Sequence, residues 1–491
     1  MKNLAAIWLL TGAAAVASAQ TNATPTRVLS LQDCIAEAVK HNFDVRVERY
    51  EPAKSEYALY AAYAGYDPTL SLSGTHSHNN AGGLLGTNGL FLTQHISDGN
   101  AFNSGLGGSL PSGATYNLFG NVNDSYEPFP ENASGQVGIS ATQPLLRNFW
   151  IDTTRLDIIA AKNGVKQSEQ GLRQQLITTV SAVENAFFEL IYARENLTVE
   201  QQALDLAQTQ LDQDRQRVEV GSLAPLDVQQ DEAQVAQSRA NLIAAQFTLE
   251  ADQNALKNLV TDDYLKWHDV DISPAGSMEA VRQAFDVQDS WSKGMESRPD
   301  LLQAKITLEQ QGIQIKYDRN QIFPQVDLTG SYGFNGAGSG YSDTFGGYQA
   351  GNRPFYTYGA QLSVPLSNAR ARNAYKSDKA TEQQDLLRLK QLEQNVMVQI
   401  DDAVKEAESR WESVAATREA RVYAEAALDA EQKKYAVGKS TTFTVLQLQN
   451  SLTTARSAEI RALADYQEAL TNLAQQEGTT LERRDVDVTF K

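Results

Sequence analysis

Three histidines are the first residues to weigh for chemistry. His76 and His78 stand two apart, and His95 follows in the same Gly/Asn-rich stretch. Imidazoles so placed become zinc ligands when further donors are fixed beside them. In a polar, glycine-rich loop they are more often solvated, and the expectation is no metal. Cys34, the one cysteine, excludes a disulfide framework and a cysteine-based zinc site. It falls on the apolar face of the first helix and reads as a small buried residue. Gly105-Leu106-Gly107-Gly108 and Gly336-Ala337-Gly338 lack the lysine and the βα unit of a phosphate cradle. No carboxylate pairs with a histidine or a nucleophile at catalytic spacing. The chain reads as no enzyme, with no cofactor.

The elements that carry these residues are set by composition. The 491 residues hold 42 Lys+Arg against 60 Asp+Glu, a net charge of −18 that opposes contact with nucleic acid. Hydrophobic residues are 42%, too few for a polytopic helical membrane protein. At the N-terminus, Lys2, the apolar stretch Leu4 to Val16 and Ala17-Ser18-Ala19 form an export signal over 1–19.

Glycine and proline partition the remainder. Of 32 glycines, 14 lie between Gly65 and Gly138 and nine between Gly330 and Gly359, which marks two glycine-rich regions. Proline is absent from 146–224, 226–273 and 366 onward, where helix-forming residues accumulate without a breaker. Val228, Val235, Leu242, Leu249 and Leu256 recur every seventh residue, a coiled-coil seam flanked by alanines that let helices approach closely. The glycine-rich regions instead alternate. Val326, Leu328, Tyr332 and Phe334 interleave with Gln325, Asp327, Thr329 and Ser331; Tyr356, Tyr358, Ala360 and Leu362 interleave with Thr357, Gly359, Gln361 and Ser363. Period two gives a strand one apolar and one polar face, as in a transmembrane barrel with lipid outside and water inside.

The chain also repeats itself. Asn42-Phe43-Asp44 matches Arg298-Pro299-Asp300, Gln143-Pro144-Leu145 matches Val364-Pro365-Leu366, and Val220-Gly221 matches Val437-Gly438. The expected organisation is a first repeat over 20–261, with strands near 68–76 and 135–145 and helices over 153–219 and 226–260. A linker spans 262–296. A second repeat spans 297–478, with strands near 324–335 and 355–366 and helices over 369–436 and 442–477, before a tail over 479–491. Four strands cannot close a barrel, so identical copies must share the sheet.

On these residues the chain resembles the TolC family of outer-membrane efflux proteins. The resemblance is carried by Ser297-Arg298-Pro299-Asp300-Leu301, Gln143-Pro144-Leu145-Leu146-Arg147 and the paired turns Val220-Gly221 and Val437-Gly438. It implies a mostly α fold with a transmembrane β-barrel: an internally duplicated helix-strand-strand-helix-helix protomer. A homotrimer would form a 12-strand barrel in outer-membrane lipid and a long periplasmic barrel of helices. The function implied is a passive exit duct of a tripartite efflux or type I secretion system, coupled to an inner-membrane pump through a periplasmic adaptor. A periplasmic coiled-coil adaptor, or a structural coiled coil of the envelope, is the alternative; neither needs lipid-compatible strands. Phe43 departs from the family's proline, and 75–135 is a long loop with enough alternation over 114–122 for an extra surface hairpin.

The resemblance also implies sites. Val220, Gly221, Ser222, Val437, Gly438 and Lys439 would dock the adaptor. Asp227 and Tyr435 would latch the tip, with Ser440 at the position of the family's arginine and Lys439 beside it. Thr444 and Gln447 stand where relatives ring the constriction with aspartates, so the constriction here is expected to be neutral.

Overall fold

A computed structural model describes residues 26–81, 95–126 and 132–487; the export signal and the side chain of His95 lie outside the described residues. The chain opens with β1 (Thr26–Leu29), α1 (Leu31–His41), α2 (Phe43–Glu48) and α3 (Tyr50–Tyr63). Four strands follow: β2 (Thr69–Ala81), β3 (His95–Ser109), β4 (Thr115–Tyr126) and β5 (Asn132–Pro144). Next come α4 (Thr153–Glu219), α5 (Pro225–Val260), α6 (Tyr264–Trp267), β6 (Asp271–Pro274) and α7 (Val287–Ser297). The remainder is α8 (Pro299–Gln321), β7 (Gln325–Gly338), α9 (Tyr341–Ala350), β8 (Pro354–Ser363), α10 (Ala369–Ala436), α11 (Thr442–Glu477) and α12 (Thr480–Arg483).

These elements form two compact units. One comprises Met1–Asn42, Val183–Ala280 and Val414–Ala464; the other comprises Phe43–Ala182, Val281–Ser413 and Asp465–Lys491. In the first, β1 pairs in parallel with β6, and Arg194 clamps that pair through Asp271 and the carbonyl of Ile272. Ser30 caps α1: its hydroxyl accepts from the Asp33 amide, and the Asp33 carboxylate accepts from the Ser30 amide. Cys34 is fully buried there, and burial pushes its thiol up to about 12, so it stays protonated and inert.

In the second unit, Leu301, Val396, Ile400, Ala403, Val404 and Leu473 make a helical core. Arg298 ties the start of α8 to its neighbours. It grips Asp300 with two hydrogen bonds of 2.7 and 3.0 Å and donates to Gln399 and Gln476. The bidentate geometry accounts for an arginine beside Pro299, the first residue of α8.

The sheet in this unit has six strands, in the order β2-β3-β4-β5-β7-β8, where four were expected. The segment read as a long loop supplies β3 and β4, which insert at full length between β2 and β5 rather than forming a surface hairpin. Serine and glycine at Ser104, Gly108 and Gly120 dilute the alternation that would have marked them, whereas ladder hydrogen bonds need only backbone. Residues 344–350, also outside any expected element, belong to α9.

Register makes the two faces explicit. One row across all six strands reads Leu70, Leu106, Leu118, Ile139, Tyr332 and Tyr356, every one exposed. On the opposite face a row reads Ser73, Asn103, Asn121, Gln136 and Asn335. Val326, Leu328, Tyr358 and Leu362 share the apolar face. Such a sheet is polar on one side and apolar on the other, with unpaired edges at β2 and β8.

Candidate functional site at the paired helix turns

Two helix–turn–helix corners lie in the first unit. Where α4 ends, the amide of Ser222 donates to the carbonyl of Arg217 and that of Gly221 to Val218. Where α10 ends, Lys439 donates to Lys434 and Gly438 to Tyr435. Both are Schellman closures, and both glycines are left-handed, at φ +74° and +71°. A β-carbon would meet nothing within 4 Å at either glycine, so the requirement is backbone conformation alone. Val220 and Val437, just before the glycines, are 79% and 67% exposed. Apolar side chains so displayed suit contact with another protein.

The entries to the next helices differ. Helix α5 begins at Pro225 behind Ala224, which offers no side-chain cap. Helix α11 begins behind Thr441, whose hydroxyl accepts from the Thr444 amide and lies 3.0 Å from the Thr444 hydroxyl. Thr444 is therefore part of a helix cap, while Gln447 one turn on is exposed.

Between the corners runs a chain of polar groups drawn from all four helices. On α5, Asp231 is 1% exposed, and neither carboxylate oxygen meets a hydrogen-bond donor among the described residues. It faces Asp214 of α4, 0% exposed, which accepts from Gln210 at 2.6 Å and from Arg217 at 3.4 Å. The Arg217 guanidinium lies 4.5 Å from the ring centroid of Tyr435 on α10. The Tyr435 hydroxyl in turn is 2.8 Å from that of Thr442, the first residue of α11. Burial, then the neighbouring charges of Asp214 and Asp227, push the Asp231 carboxyl up to about 7. A carboxyl so raised holds its proton more readily than an exposed one, which lowers the cost of burying Asp231 between the helices.

The latch expected from the sequence joins Asp227 to Tyr435. Among the described residues the Tyr435 hydroxyl meets Thr442, not Asp227, which stands half-buried in the first turn of α5. Ser440 donates to Glu431 at 2.6 Å, and together with Lys434 it holds that carboxyl below the usual carboxylate range. Asp214, Arg217, Asp231 and Thr442 were missed because helix-surface carboxylates and hydroxyls look alike in a sequence. One signal was available: Asp214-x-x-Arg217 and Glu431-x-x-Lys434 recur at the same interval as the two glycines.

His76 Nδ1 is 3.0 Å from Asn100 Oδ1, and His78 pairs with Asp98 across β2 and β3.

The sequence pattern of outer membrane efflux proteins matches residues 34–261 and 292–479, most of the chain. The chain belongs to the outer membrane efflux protein family. Among its relatives, the outer membrane efflux protein BepC of Brucella suis is 25% identical over 333 residues, 68% of this chain and 69% of that one. The outer membrane protein TolC of Vibrio cholerae is 25% identical over 374 residues, 75% of this chain and 82% of that one. Solved structures share the fold. The outer membrane protein VceC of Vibrio cholerae superposes with a TM-score of 0.66 at 18% identity, covering 91% of this chain and 96% of the other. The CmeC outer membrane channel of Campylobacter jejuni gives 0.66 at 15% identity, covering 92% and 86%. This outer membrane efflux protein is thus an outer-membrane channel, and its two-faced sheet is the part suited to lipid.

Proposed function

We propose that this efflux protein is the passive exit duct of a tripartite export system, with its sheet shared among copies in the outer membrane and its turns docked on a periplasmic adaptor. The observation that carries this reading is the six-residue apolar row, exposed along its whole length and ending at two unpaired edge strands. Edges in lipid must pair, and only further copies of the same sheet continue the register. In a homotrimer, three six-stranded sheets would bring 18 strands, not 12, and a wider barrel. An inner-membrane pump would load the duct from below. A coiled-coil adaptor or structural coiled coil would have no use for the apolar row.

At the tip, the polar chain from Asp231 through Asp214, Arg217 and Tyr435 to Thr442 restrains the four helices against opening. Asp227, Lys439 and Ser440 would meet a neighbouring copy, and Thr444 and Gln447 would line a neutral constriction. Neutral residues hold divalent cations poorly, so block by such ions should be weak. The docking surface is Val220, Gly221, Ser222, Val437, Gly438 and Lys439. A test follows from the buried cysteine. With Cys34 unreactive, a cysteine introduced at Val220 or Val437 is the sole accessible thiol. Cross-linking from both positions to the adaptor is expected; cross-linking from neither would remove docking from the turns.

A further inference from the structure

Helix α9 lies on the apolar face of the sheet, the same face as the six-residue row. Thr344 donates to the carbonyl of Ala133 at 3.0 Å, and the Tyr348 hydroxyl donates to the carbonyl of Asn121 at 2.7 Å. Its approach is close: a β-carbon on Gly336 would stand 2.2 Å from the carbonyl oxygen of Thr344.

The level at which α9 sits is where that face changes character. Along β2, Leu70 and Leu72 give way to His76 and His78; along β3, Leu106 and Phe102 give way to Asn100 and Asp98. On β4, Leu118 and Val122 give way to Asp124. An apolar band ending in aromatic and then polar residues marks the edge of the hydrocarbon layer in a membrane barrel. The boundary falls at the strand ends far from the helices, which is the outer leaflet. Short helices with aromatic residues on one side settle at such boundaries.

Beneath α9 the face is hollow. A cavity of about 960 Å³ is lined by Leu72, Phe102, Val122 and Val137 of the sheet and by Tyr341 and Phe345 of the helix. A second depression of about 550 Å³ shares Ser104, Gly120 and Val137 with it and continues toward Leu106 and Ile139. Small residues make the floor, and larger ones make the walls. The result is an elongated apolar furrow, open toward the hydrocarbon layer and roofed at its outer end by a helix.

We infer that this furrow holds one acyl chain of an outer-leaflet lipid in each protomer, retained by α9 when surrounding lipid exchanges. The inference rests on the apolar face meeting lipid, as the function above requires. An acyl chain matches the furrow in its largely apolar lining and in direction of entry, whereas a second copy of the chain would approach from the sheet edges.

The test uses the full chain in nanodiscs of phosphatidylethanolamine carrying a photoactivatable diazirine on one acyl chain, irradiated before and after transfer to detergent. Before transfer, cross-links are expected on Leu328 and Leu362 as well as on Tyr341 and Phe345. Their absence from Leu328 and Leu362 would overturn the orientation itself; their absence from α9 alone would overturn the furrow site and leave the orientation standing. After transfer, cross-links on α9 should persist while those on Leu362 fall about tenfold, a difference of about 1.4 kcal/mol in retention. Leu72→Trp, at the mouth of the furrow, should lower the retained label about tenfold, and Leu362→Trp should leave it unchanged. Phe345→Asp, on an exposed helix position, provides a second disruption should Leu72→Trp fail to assemble. Loss of all α9 label in detergent would mean that detergent or a neighbouring copy fills the furrow, which contradicts retention.

Discussion

In the first half of the chain α4 has 67 residues and α5 has 36; in the second, α10 has 68 and α11 has 36. The helices match almost to the residue. The sheets do not: four strands precede α4, while two strands with α9 between them precede α10. Helices that must turn at the same level are locked in length by their glycine closures. A sheet tolerates an inserted hairpin, because β3 and β4 leave the pairing of β5 with β7 undisturbed. The corners extend the comparison. Asp214–Arg217 and Glu431–Lys434 are equivalent ion pairs one turn before each glycine. The first pair is buried at its acid and reaches two further helices; the second stays in solvent at its base, and its acid accepts from Ser440. The same place on two helices of nearly equal length carries an ion pair, and what packs against it decides what the pair does.

The largest expected effect asks whether the two halves present one continuous face. Arginine at Ile139 in the first half or Leu328 in the second should each cost about 2–4 kcal/mol near the bilayer midplane. Arginine at the neighbouring Ser140 or Thr329 should cost far less. Assembly yield in outer-membrane fractions checks this, and equal tolerance at Leu328 and Thr329 would break the orientation.

Next in size is the contrast between the ion pairs. Arg217→Ala leaves the buried Asp214 carboxylate short of a donor and should destabilise the tip by about 1–3 kcal/mol. Lys434→Ala should lie within the scatter of the same unfolding measurement. The neighbouring acid adds a pH signature. Burial raises the Asp231 carboxyl to about 7, so between roughly pH 4, its unfolded value, and pH 7 the folded tip binds a proton that the unfolded chain has released. Tip stability is therefore greatest at the acidic end and falls as pH rises through about 7. Amide exchange in α4 and α5 should quicken from pH 5 to pH 8 beyond its intrinsic rate, and Asp231→Asn should remove that excess.

The glycines should instead behave alike. Gly221→Ala and Gly438→Ala each force a β-carbon into left-handed backbone, at about 1–2 kcal/mol. Unequal losses in thermal unfolding would show that one corner carries a contact the other lacks. Smallest is the capping contrast: Thr441→Ala should cost about 1 kcal/mol, and Ala224→Ser should gain up to a similar amount.

The helices were legible because proline and glycine are excluded from them and return at their ends, as at Gly221, Pro225 and Gly438. The apolar face was legible wherever alternation was strict, in β7 and β8 above all. Strand β4 showed in part, through Tyr116, Leu118 and Val122, but its place inside the sheet did not; β3 was hidden because its glycines and asparagines satisfy a backbone ladder while diluting the period. Helix α9 was hidden by Gly346 and Gly347, poor helix formers, the second of which lies close against Gly336 of the sheet. At the tip, the turns could be read from local backbone rules. The polar chain could not, since Asp231, Asp214 and Tyr435 meet only through packing of three separate helices.

Single-channel recording in planar bilayers tests the duct and its latch together. Purified chain should insert as discrete channels of low conductance, and the Arg217→Ala, Tyr435→Phe double variant should open severalfold wider while inserting equally well. A wild-type chain that never forms channels would contradict the duct, and a double variant as closed as wild type would contradict the latch.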